Sequence, residues 1–89
     1  PDPVLWIQAG ALSNLDNAKR FQQELEIIRA EVGAGDWTVG IHSTEKNEKS
    51  IHRVRIGPVP EPEIAPLIDA LKQNGITQTV ILSQHQLER

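Results

Sequence analysis

Polar and apolar residues keep changing their spacing along this chain, and each change marks an element. "VLWIQAGA", residues 4–11, alternates with a period of two, the pattern of a half-buried strand. Leu5, Ile7, Ala9 and Ala11 then point one way, and Trp6, Gln8 and Gly10 the other. Next, Ala18, Phe21, Leu25, Ile28 and Val32 recur at spacings of three and four, an amphipathic helix stripe. Ser13 with Asp16 forms an S-x-x-D start signal, Asn14 is a competing N-cap, and Gly33 and Gly35 end the helix. "WTVGIHS", residues 37–43, returns to alternation, with Trp37, Val39 and Ile41 on the core side and Thr38, Gly40 and His42 opposite. "TEKNEKS", residues 44–50, has no period and fits a polar hairpin connection.

"IHRVRIGP", residues 51–58, is a third strand, with Val54 and Ile56 on one face and Arg53 and Arg55 on the other, stopped by Gly57-Pro58. "PEPEIAPLIDALKQNG" is a second helix: Pro62 suits its first turn, and Ile64, Leu67, Ile68 and Leu71 make its stripe. Gly75 terminates it, while Pro66 is expected to bend it or delay its start. "QTVILS", residues 78–83, is a fourth strand of unassigned facing, and "QHQLER" reads as a loose tail.

The order β-α-β-β-α-β predicts an α+β fold of ferredoxin- or RNP-like shape. Both amphipathic helices pack on one face of a four-stranded antiparallel sheet. The other face is left open, lined by Trp6, Gln8, Thr38, His42, Arg53 and Arg55. A solvated polar face accounts for Arg53 and Arg55 as well as a binding surface does. Gln8 is harder to account for, because it interrupts the most apolar strand with a group that both donates and accepts hydrogen bonds.

Composition narrows the functional classes. With 89 residues, the whole chain is expected to form one domain, with its core at about 4–83. The absence of Met and the Pro-Asp-Pro start suggest excision from a longer protein. No run of about 18 apolar residues is present, so membrane insertion is not expected. A net charge of −3 argues against a nucleic-acid partner, whose binders carry a basic stripe. There is no Cys, and His42, His52 and His85 are scattered without ligand spacing, so neither metal nor other cofactor is expected. No nucleophile elbow or phosphate loop appears, which makes a binding module the expectation rather than an enzyme.

Two motifs in order, "WIQAGALSNLDNAKRFQQEL" and "HRVRIGP", make the chain resemble the SPOR (sporulation-related repeat) domain family. Gln8, Gly10, Ala11, Ser13, Asn14, Ala18 and Leu25 match the first family motif, and Arg53, Val54, Arg55, Gly57 and Pro58 the second. The resemblance runs from about Val4 to Leu82. Leu12, His52 and Val59 stand where the family usually has aromatics, which weakens stacking there. The "HRVRIGP" strand resembles SPOR domains at the C-terminus of rare-lipoprotein-A-like lytic transglycosylases, whose catalytic domain would lie upstream.

The resemblance implies non-catalytic binding of peptidoglycan glycan strands stripped of stem peptides, which collect at the division septum in the Gram-negative periplasm. Gln8, Ser13, Asn14, Thr38 and His42 would meet hydroxyl and acetamido groups. Trp6 and Leu12 would give apolar contact, and Arg53 or Arg55 would meet a lactyl carboxylate. A monomer is the default expectation. Two other classes share the element order: a ferredoxin-like protein-interaction module, and a single-stranded RNA binder of RRM-like topology.

Overall fold

The computed structural model describes residues 4–32 and 36–87. Along the chain run β1 (Val4–Leu12), α1 (Leu15–Val32), β2 (Thr38–Lys46), β3 (Lys49–Pro60), α2 (Glu61–Gln73), β4 (Val80–Ser83) and a short α3 (Gln84–Leu87). The strands form one antiparallel sheet in the order β2-β3-β1-β4, with β3 and β1 central. The α+β arrangement expected from the spacing pattern is present. Gly33 and Gly35, expected to end α1, lie outside the described residues.

Local chemistry explains the boundaries. Asn14, rather than Ser13, caps α1: its Oδ1 accepts the Asn17 N–H at 3.0 Å. Pro62 sits in the first turn of α2, where its missing N–H costs nothing. Pro66 is accommodated inside α2 without ending it. At the other end, Gly75 adopts φ 82°, and the Ile76 and Gly75 N–H groups bond the Leu71 and Lys72 carbonyls at 2.9 and 3.0 Å. This is a Schellman closure that also seats Ile76 against the core.

Residues 44–50 are not a loose connection. β2 and β3 stay paired through Lys46↔Lys49 and turn in only two residues, Asn47 and Glu48. Their φ values of 54° and 66° are those of the tight hairpin turn that matches strand twist. The end of the chain also differs from expectation. Residues 84–87 form a helical turn closed by a reciprocal cap, with the Ser83 N–H donating to Gln86 Oε1 at 2.7 Å and the Gln86 N–H to Ser83 Oγ at 3.3 Å.

Both long helices cover one sheet face. Ala18, Leu25 and Ile28 of α1 and Ile64, Leu67 and Leu71 of α2 bury against Ile7, Ala9, Val39, Val54, Ile56 and Val59. Trp37, read as core, is buried. Arg29 closes over it: its guanidinium carbon lies 5.4 Å from the ring centroid, and its Nε donates to the Trp37 carbonyl.

β1 departs from simple alternation. The pairs Gln8↔Arg55 and Gly10↔Val54 show that β1 advances two residues while β3 advances one. Ala9 is therefore the extra residue of a bulge, and the facing changes after it. Ala9 is buried, and a Cβ on Gly10 would lie 2.8 Å from Phe21 of α1, so both residues face the helices. Gly10 is not on the open face as the alternation predicts. Ala11 is, opposite Arg53.

Candidate functional site

The open face is built by register. From β1 it carries Trp6, Gln8 and Ala11, and from β3 Arg53, Arg55 and Gly57. β2 adds Thr38, Gly40, His42 and Thr44, each paired with an open-face residue of β3 or its neighbour Ile51. On β4, Val80 pairs with Gln8 and Leu82 with Trp6, which settles the facing left unassigned from the pattern.

Gln8 and Arg55 lie side by side on the central strands, and the Arg55 Nε donates to Gln8 Oε1 at 3.2 Å. That bond occupies the amide oxygen and leaves the Gln8 NH2 turned out as a donor. On the same strand Arg53 leans the opposite way, its Nη1 donating to Thr44 Oγ1 at 2.8 Å. Desolvation first, and then the like charge of Arg53, hold the Arg55 guanidinium below its ordinary pKa. An anionic group seated between the two would relieve that repulsion. Among the described residues neither guanidinium has a carboxylate within ion-pair distance.

Trp6 stacks its indole flat over Gly57, where a Cβ would come within 2.7 Å of ring atoms Cγ and Nε1. The absence of a side chain at Gly57 is what lets the ring lie down on the sheet. Beside it, Thr38, Gly40, His42, Arg55 and Leu87 complete a shallow groove of about 210 Å³. Leu87 brings α3 to the rim of this face, a contribution not expected from a loose tail. The S-x-x-Q at Ser83–Gln86 was the signal for it.

Trp6, Gln8, Thr38, His42, Arg53 and Arg55 are thus brought together, and three other candidates are not. Leu12 pairs with the buried His52 and packs on the core, because the bulge at Ala9 turns it to the helix side. Asn14 spends its side-chain oxygen on capping α1. Ser13 is exposed in the β1–α1 connection, off the strands. His52 is buried on the helix side, with its Nδ1 2.7 Å from Ser43 Oγ.

A larger depression of about 680 Å³ lies around the edge of β1 against α1, lined by Gly10–Leu12, Arg20, Phe21, Glu24 and Gln78. It meets the open face at Gln8, Ala11 and Val80. Its one cation, Arg20, is bonded to Asn17, whereas the open face carries the pair of guanidinium groups, which makes that face the better site despite its shallowness.

Comparison with known proteins identifies the family. The family model described as the SPOR domain matches residues 2–82. No curated protein sequence matches the chain. The crystal structure of the RlpA SPOR domain from Pseudomonas aeruginosa is similar, with a TM-score of 0.72 and 28% sequence identity over 88% of this chain and 96% of that one. The chain therefore belongs to the SPOR domain family, a family of peptidoglycan-binding modules.

Proposed function

We propose that the open sheet face binds peptidoglycan glycan strands lacking stem peptides, and so places a larger periplasmic protein of a Gram-negative bacterium at the division septum. A lytic transglycosylase whose catalytic domain lies elsewhere in the protein is such a parent. The observation that carries this reading is the pair of guanidinium groups on an uncovered face, with no carboxylate among the described residues within ion-pair distance of them. In intact peptidoglycan the lactyl carboxyl of muramic acid is tied up as a neutral amide to the stem peptide. Removing the peptide frees a carboxylate, and a guanidinium holds a carboxylate in charge-assisted hydrogen bonds that an amide cannot match. The Gln8 NH2 donor and the flat Trp6 ring beside it suit acetamido and sugar-ring faces. RRM-type base stacking is less well served, since β3 offers no aromatic residue.

The test is co-sedimentation with purified sacculi before and after an amidase removes the stem peptides. Binding should rise after treatment, and Gln8→Ala with Arg55→Gln should abolish the rise while melting stays close to that of the parent. Equal binding to treated and untreated sacculi would reject the preference for denuded strands.

A further inference from the structure

The β2–β3 hairpin continues past the last rung of β1, Leu12↔His52, as a two-stranded arm made of the rungs Thr44↔Ile51, Glu45↔Ser50 and Lys46↔Lys49. Side chains alternate along it. Thr44, Ile51, Lys46 and Lys49 share the face of Arg53 and Arg55, while Glu45 and Ser50 turn to the other side. Glu48 sits in the turn. The arm therefore separates its charges: its acid is turned away, and two lysines stand directly opposite each other on the open face. Like charges in that position destabilise a strand pair, so the arrangement costs the fold something it does not need.

The lysines extend a line already present. Arg55 is tied toward β1 through Gln8, and Arg53 is tied toward the arm through Thr44. From Arg55 to Lys49 is six residues of strand, about 20 Å at the usual rise. That is longer than one disaccharide. Among the described residues the strand positions of this face carry no acid anywhere along the row, although the whole chain has more acidic than basic residues.

The geometry points to a second anion subsite on the hairpin arm, formed by Lys46 and Lys49, that takes a lactyl carboxylate one or more repeats along the same glycan from the carboxylate held at Arg53 and Arg55. Ile51, partly exposed on this face, and Thr44 lie between the two subsites and give the intervening sugar an apolar and a hydroxyl contact. This assignment rests on the glycan reading of the open face and adds a length requirement: the domain reads carboxylates in series rather than singly.

The experiment measures binding of peptide-free glycan fragments with one, two and three muramic units to the parent domain and to Lys46→Gln/Lys49→Gln. The parent should gain affinity with each added carboxylate. The variant should match it on the one-unit fragment and fall behind by roughly two- to tenfold on the longer ones, the range of two exposed charge contacts. Reducing the lactyl carboxyls to alcohols should erase the difference. The variant should melt no lower than the parent, since a like-charge pair is removed. Equal binding of the longest fragment by parent and variant would overturn the arm subsite and leave the Arg55 site standing. No binding of any fragment by the parent would overturn the glycan reading itself. Binding of oligouridylate at the same salt as tightly as the three-unit glycan would overturn the assignment of the arm to a carboxylated sugar chain.

Discussion

Replacing Gly57 by Ala tests whether the Trp6 ring is held against the sheet by the lack of a side chain beneath it. The new methyl would lie 2.7 Å from Cγ and Nε1 of the indole. Carbon contacts settle at about 3.5–4.0 Å, so the ring must retreat by about 1 Å or turn away. Cγ is the base of the ring, which a χ2 flip cannot move, so relief requires a change at χ1 or a backbone shift. Overpacking of this kind costs about 1–3 kcal/mol. For a chain of this size that is a fall in Tm of about 4–20 °C, readable by circular dichroism melting. The decisive step is a double-mutant cycle. In a Trp6→Ala background the methyl enters open space, and Gly57→Ala should then be neutral or slightly stabilising. The coupling between the two sites should therefore be about 1–3 kcal/mol. The same loss of stability with and without the Trp6 ring would refute the packing argument. Binding to amidase-treated sacculi should fall in Gly57→Ala, because the displaced ring no longer offers its face.

Three further outcomes separate structural from ligand-binding roles. Asn14→Ala should cost about 1 kcal/mol by removing the α1 cap and leave sacculus binding intact, which thermal melting and pelleting check together. Gly75→Ala forces an L side chain into φ 82° and should lower stability by about 1–2 kcal/mol in a denaturant titration, again without touching binding. Arg53→Gln should weaken binding to denuded glycan without lowering Tm, and the residual binding should depend less on salt than that of the parent.

The pattern of the chain made the element order and most of the core legible, because periods of two and near three and a half follow directly from strand and helix geometry. Ala18, Leu25, Ile28, Leu67 and Leu71 are buried where the stripes put them. Arg53, Arg55 and Gln8 were legible as open-face residues because the apolar Val54 and Ile56, and Ile7 and Ala9, beside them fix their parity. Leu12 and Gly10 were misplaced for one shared reason. Parity carries along a strand only while the strand is regular, and the extra residue at Ala9 leaves no mark in the spacing of apolar side chains. Residues 44–50 hid their strands for a different reason. The arm extends beyond the helices, buries neither face and so has no apolar alternation to display, while the Asn47-Glu48 turn lacks the usual glycine. The burial of Trp37 followed from its neighbours, but the Arg29 side chain that closes over it comes from another element and left no local trace.

The bulge at Ala9 also fixes how this surface can change by insertion and deletion. Losing that one residue would restore plain alternation without exchanging faces: Gly10 would follow Gln8 directly and keep to the helix side with Leu12, and Ala11 would stay on the open face. A single codon can therefore leave the strand here while the Gln8–Arg55 pair and the open-face residue beyond it, Ala11, keep their places. In a regular stretch of strand the same loss would turn every following side chain to the opposite face, so the bulge makes Ala9 the point at which this surface tolerates a change of length.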